Sequence, residues 1–275
     1  MMRRLAFLSV LLAGMAPPIV FGGIKVFPTQ VFIVSPNRSA PVTLTNTGDT
    51  KEEVWVTFRY EYPVGFSSGS VQFSRGDSLN PAEPNAVSWL RSVPQRVVIE
   101  AQGSQTVRIV SSPPPGGAGE AWGRVVVSWK RTQPLRVRGA EDRKLLNAVL
   151  VQETVIPVHV RRGPVSSGAV IRDFRATPEG KNLMVDLVLD RTGSAALWGA
   201  LRFELLNERG RSAGSWELPV VVYKQLSYRN SLDIEGVPAG SYTLNLAIDN
   251  KHPTLNARMR VSAAPVRQSI RVTIP

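Results

Sequence analysis

The chain has 275 residues, a net charge of +12 and no cysteine. That length allows one large or two ordinary domains, held by apolar cores alone; disulfide staples, zinc–thiolate sites and cysteine nucleophiles are excluded. The positive charge is spread over both halves and forms no basic stripe interleaved with aromatics, which fits acidic partners in general and argues against nucleic acid.

Residues 1–22 have the form of a secretory signal. Arg3 and Arg4 supply the charged start, Leu5 to Ala16 the apolar run, and Val20-Phe21-Gly22 a cleavage region. The apolar run is short for a bilayer span, and Pro17-Pro18 breaks it. No Cys follows to carry a lipid anchor, so an exported, periplasmic chain is expected.

After the signal the pattern is that of strands. Ile24-Lys25-Val26-Phe27-Pro28 and Gln30 to Val34 open the chain, with the proline suiting an edge. Ala40 to Asn46 and Val54 to Tyr60 alternate apolar and polar residues, and Trp55 is expected in a core. Pro63 to Pro84, rich in Gly, Ser, Asn and Pro, reads as a long loop or short edge strands. Val97 to Glu100, Gln105 to Val110 and Ala121 to Trp129 follow as strands, and Lys130 to Lys144 reads as a basic loop. Roughly seven strands, hairpin-scale turns and no helical period predict an immunoglobulin-like β-sandwich over 23–163. Arg161 to Ser167 is a linker. A second β-sandwich over 164–275 is expected from Val170–Ala176, Leu183–Leu189, Gly199–Leu206, Ser215–Tyr223, Ser231–Ile234, Tyr242–Ile248 and Gln268–Thr273. The fold class is therefore all-β, in two sandwich domains.

Catalytic patterns are missing. The two histidines are far apart in sequence: His159 is expected to face solvent or the domain interface, and His252 sits in a loop near Asp249. A metal site needs three or four nearby ligands. There is no Gly-x-Ser-x-Gly turn and no Gly-rich phosphate loop with Lys. No enzyme activity, metal or cofactor is expected.

The run Leu145 to Val160 carries the functional reading. It is long for a strand, rich in β-branched residues and apolar on both alternating sets: Val149, Val151 and Val155 on one, Leu150, Ile156, Val158 and Val160 on the other. A strand apolar on both faces wants cover on both. One cover is its own core; the other is a partner chain that adds a strand to an open sheet edge. Left uncovered, such an edge also invites self-association.

Four segments are similar to the periplasmic pilus-assembly chaperones of the PapD-like superfamily. They are Phe27 to Val31, Pro41 to Gly48, Val93 to Ile109 and the strand Asn147 to Val160. The resemblance implies two immunoglobulin-like domains in a boomerang arrangement. It implies a chaperone that lends the long strand to a pilus or fimbrial subunit by donor-strand complementation and hands the subunit to an outer-membrane usher. The subunit-binding residues would then be Val149, Leu150, Val151 and Val155, with Gln30, Val31 and Ile33 of the opening strand. Members of this family hold the subunit's terminal carboxylate with an Arg on the first strand and a Lys on the long strand. Here Gln30 takes the first position, and no Lys or Arg lies in 145–160. Lys25, Arg161 and Arg162 are the nearby candidate anion anchors. The alternatives are a secreted structural or adhesive surface protein and, more distantly, a carbohydrate-binding or hydrolytic sandwich using Trp55, Trp89 or Trp198.

Overall fold

The computed structural model describes residues 23–67, 70–75, 80, 82–136 and 145–275; the expected signal at 1–22 lies outside them. Eighteen strands follow in chain order. The first are β1 (Ile24–Phe27), β2 (Val31–Val34), β3 (Ser39–Asn46), β4 (Glu52–Arg59), β5 (Tyr62–Ser67) and β6 (Ser70–Ser74). Next come β7 (Leu90–Val93), β8 (Arg96–Ile99), β9 (Ser104–Ser111), β10 (Gly119–Arg136) and β11 (Leu145–Arg162). The second half supplies β12 (Ser167–Glu179), β13 (Asn182–Gly193), β14 (Leu197–Asn207), β15 (Ser212–Val222), β16 (Gln225–Asp233), β17 (Gly240–Asp249) and β18 (Val266–Ile274).

The strands form two immunoglobulin-like sandwiches. In the first, a sheet in the order β1-β3-β9-β7 faces a sheet in the order β2-β11-β10-β4-β8. Alternation decides what is buried: Val42 and Leu44, Val54 and Val56, Val107 and Ile109, Val125 and Val127 all point into one core, with Ile156, Val158 and Val160 from β11. Trp55 has the opposite parity to Val54 and Val56, so it lies on the outer face and not in the core; Arg96 and Lys130 sit over its ring, each 5.7 Å from the centroid. At one end of this sandwich the buried Asn46 side chain joins two turns. Its Nδ2 donates to Thr50 O at 2.7 Å and to Ile99 O at 3.2 Å, and its Oδ1 accepts from Gly48 N at 2.9 Å.

The second sandwich packs β15-β14-β17-β18 against β12-β13-β16-β5-β6. Its core is built from Leu183, Leu187, Leu201, Phe203, Leu226, Leu244 and their neighbours. All seven strands expected in this half are present. The strand expected at Ser231–Ile234 begins earlier, at Gln225, because Leu226, Tyr228 and Leu232 alternate into the core between polar residues.

Two elements differ from expectation. Residues 62–67 and 70–74 do form short strands, but in the sheet of the second sandwich: β5 pairs parallel with β16 at Ser227↔Gly65, and β6 pairs antiparallel with β5. The expected basic loop at 130–144 is shorter than its charges suggested. Lys130 to Arg136 continue β10 and pair with Val151 to Leu145, while Arg138, Arg143 and Lys144 lie outside the described residues.

Candidate strand-docking edge

β10 and β11 form a long antiparallel hairpin, in register from Gly119↔Arg162 to Arg136↔Leu145. The other side of β11 is only partly used. β2 pairs with it in parallel from Val158↔Val31 to Arg161↔Val34. From Leu145 to Pro157 no second strand lies beside it among the described residues. That length presents an unpaired row of backbone N–H and C=O groups. Its side chains are apolar and uncovered: Val149 is 59% exposed, Val151 60%, Leu150 42% and Val155 37%. Val149, Val151 and Val155 share one face of the strand and form a row, with Leu150 on the opposite face; single exposed apolar residues would need no explanation. Glu153 interrupts the row and pairs with Arg59 at 2.9 Å, on the same face as Val151 and Val155. At the inner end of the strand the opposite face turns into the core, with Ile156, Val158 and Val160 all buried.

The expected contributors from the opening strand are not at this edge. Val31 and Ile33 are buried in the core of the first sandwich. Gln30 is turned to the second half, where its Nε2 donates to Thr254 O at 2.8 Å. The candidate anion anchors do not converge either. Lys25 is exposed on β1, opposite Thr45. Arg162 donates from Nη1 to Pro114 O at 2.7 Å and to Gly116 O, and lies over the Trp89 ring. Arg161 is buried in a network between the sandwiches.

That network closes the inner end of β11. The register of the hairpin places Glu120 opposite Arg161 and Trp122 opposite His159. Glu120 accepts from Arg161 Nε, from His159 Nδ1 at 2.9 Å and, across the seam, from the backbone N–H of Ala196 at 3.0 Å. Arg161 Nη1 also crosses the seam, to Met259 O at 2.5 Å. Burial pushes the Glu120 carboxyl up, but the His159 and Arg161 side chains that donate to it more than offset this and hold it at about 2. Burial lowers the His159 imidazole despite Glu120, and the network assigns the neutral ring, with Nδ1–H donating to Glu120 and Nε2 accepting from the Tyr223 hydroxyl at 3.1 Å. His159 therefore faces the domain interface, fully buried, its ring stacked on Phe32 at 4.7 Å and on Tyr223 at 5.4 Å.

Aromatic side chains fill the rest of the seam. Tyr60, Tyr62 and Trp122 from the first half meet Trp198, Tyr223 and Leu255 from the second. Glu83 accepts from the Tyr60 hydroxyl at 2.7 Å and from Lys224 Nζ at 2.6 Å, another tie between the halves. The two histidines, far apart in sequence, both meet Trp198 edge-on, with ring centroids at 5.4 Å for His159 and 5.1 Å for His252. His252 Nδ1 accepts from Thr254 N, and Asp249 is engaged with Lys251 N and Arg202, so the anticipated Asp249–His252 neighbourhood makes no pair. Among the described residues no group of three or more His, Asp or Glu is placed to hold a metal.

Glu120, Tyr223 and Trp198 escaped the sequence reading as seam residues. One signal was present: Glu120 is the acid that a long hairpin must set against Arg161, which becomes visible once the strand before the loop is extended to Gly119.

No family model matches the chain, and no curated protein matches it. Among solved structures it is similar to the YadV chaperone, with 14% identity over 90% of this chain and 99% of that one, at a TM-score of 0.44. It is similar to the chaperone–tip adhesion subunit complex CsuC–CsuE of Acinetobacter baumannii, with 13% identity over 90% and 97% and a TM-score of 0.42. It is also similar to the CupB2 chaperone of Pseudomonas aeruginosa, with 11% identity over 91% and 100% and a TM-score of 0.38. None of these TM-scores reaches one half, so the case for a function rests on the chain's own edge and seam.

Proposed function

We propose that this chain is a periplasmic chaperone that holds a pilus or fimbrial subunit by adding a strand of the subunit to the open edge of β11, and passes it on to an outer-membrane usher. The observation that carries this is the length of β11 from Leu145 to Pro157, which has no second strand on one side among the described residues and carries exposed Val149, Leu150, Val151 and Val155. An incoming strand gains main-chain hydrogen bonds from the edge, and alternate side chains give it register. Each valine it covers completely contributes up to about 1.5 kcal/mol from apolar burial. The buried seam at the other end of β11 holds the strand still, so little is lost to ordering it on binding. The resemblance of Val93 to Ile109, and of the long strand itself, to the pilus-assembly chaperones supports the same reading.

The test is co-expression with the fibre subunits of the same cell, followed by pull-down from the periplasmic fraction. Val149→Arg and Val151→Arg change side chains that face solvent, so both variants should fold with stability within about 0.5 kcal/mol of the parent and lose the subunit. Undiminished subunit capture by both variants would sink the reading. Recovery of the chain from the cell surface in place of the periplasm would favour the structural or adhesive alternative.

A further inference from the structure

The backbone of β11 fixes which residues an added strand meets. On β10, Glu120 N donates to Ser194 O at 3.0 Å, Trp122 N donates to Pro84 O at 2.8 Å, and Trp122 O accepts from Ala86 N at 2.9 Å, all away from β11. On β11, Arg161 O accepts from Ser35 N at 3.0 Å, just past the end of β2. In an antiparallel ladder the backbone groups of successive residues alternate between the two sides, and the hairpin pairs without interruption along its length. Val149, Val151, Glu153 and Val155 therefore turn both N–H and C=O to the open edge. Pro157 follows in the same set but has no N–H, so the donors end at Val155. The same four side chains share the outer face of the sheet. Three are valines; Glu153 alone is charged.

The Glu153 side chain is 38% exposed. Among the described residues only its Oε2 is engaged, by Arg59 Nη2 at 2.9 Å. Arg59 reaches Glu61 as well, at 3.7 Å, so one guanidinium serves two carboxylates. The other cations of this face are turned elsewhere: Lys130 and Arg96 lie over Trp55, Arg96 also pairs with Glu53, and Arg124 lies over Phe73. A strand laid on the edge, with the body that carries it, withdraws this face from water. Burying a charge is costly unless it is paired and its remaining lone pairs find donors, so the half-served carboxylate of Glu153 then needs one more. We propose that the segment bound at β11 sets a basic side chain, Lys or Arg, beside Glu153, with apolar side chains two residues to either side, beside Val151 and Val155. Neighbouring strands lie about 4.8 Å apart, which brings such side chains into contact. The proposal rests on strand addition at β11 and narrows its partner from any apolar strand to one with a cation at a set place between apolar residues. An acid in that place would meet Glu153 and Glu61 with only Arg59 between them, so the same glutamate rejects as well as selects.

The probe is a set of synthetic segments of alternating Val and Thr, with the central Val replaced by Lys, Gln or Glu. Each is fused to a soluble carrier and titrated onto the whole chain at low salt. The Lys segment should bind roughly three- to ten-fold more tightly than the Glu segment, with Gln between them. Glu153→Lys changes an exposed side chain, should melt within a few degrees of the parent, and should invert the order. Glu153→Val should erase it. Val149→Arg should weaken every segment, which places them on this edge; undiminished binding there puts them elsewhere and overturns the assignment. Segments that bind the parent without order, or bind Glu153→Lys in the parent's order, would overturn the charge selection and leave strand addition at β11 standing. Failure of every segment to bind would overturn both.

Discussion

Glu120 shows how one side chain can couple two domains. It sits at the start of β10, takes hydrogen bonds from two residues of β11 and a third from the backbone of the opposite sandwich. Removing its charge leaves Arg161 buried without a counter-ion, and breaking a buried pair in this way costs about 3–5 kcal/mol. Glu120→Gln should therefore lose stability of that order in urea unfolding. Adding Arg161→Met to Glu120→Gln should recover part of the loss, since the second change removes the stranded charge. A pair of losses that simply add would show that the two residues act separately. Asn46 is a second such residue on a smaller scale. Its amide satisfies carbonyls of two turns, and Asn46→Leu, which strands those carbonyls in a buried site, should cost about 1–3 kcal/mol by the same measurement.

At the scale of elements, the strands that bury one face were legible and those with distant partners were not. Val42 with Leu44, and Val107 with Ile109, announce their strands because one buried face imposes period two on the sequence. Trp55 was misplaced although its parity was equally readable: its size suggested a core, while Val54 and Val56 on either side had already claimed the inward positions. The open edge of β11 was legible as an excess of apolar surface, but where β2 stops pairing was not, because a parallel partner from far up the chain leaves no local mark. The β5–β6 hairpin was less legible still. Its residues are short, rich in Gly, Ser and Pro, and their destination is a sheet completed more than a hundred residues later. β14 carries a requirement of another kind. A Cβ at Gly199 would sit 2.0 Å from Asp249 O, where β14 and β17 begin to pair. Because backbone, not a flexible side chain, blocks the space, Gly199→Ala must push the strands apart and should lower stability by about 1–3 kcal/mol, read as a drop in melting temperature.

Over the whole molecule, the buried seam makes stability depend on pH in a definite direction. Burial lowers His159 below its ordinary 6.5, and His252 likewise. The unfolded chain therefore binds more protons than the folded one as pH falls through the imidazole range, and stability declines there. Glu120, held at about 2 against an ordinary 4.5, contributes stability that is fully present above 4.5 and is lost as pH falls toward 2. Urea midpoints should fall in two stages on the acid side. His159→Phe should flatten the first stage in part, leaving the share of His252. A midpoint that stays level between pH 7 and pH 5 in the parent would contradict the assignment of a neutral, buried His159.

The hairpin that leaves the first sandwich to complete the second has a consequence for how such a chain can evolve. Cut at Arg161 to Ser167, the sequence divides into two blocks, but the structure does not: the second block without residues 62–74 loses two strands of a five-stranded sheet and bares the side of β16. The halves are therefore not interchangeable cassettes. A recombination that joined this first half to a relative's second half would bring a hairpin shaped for the wrong sheet, so the two must change together, tied by a stretch that looks in sequence like the most dispensable part of the chain.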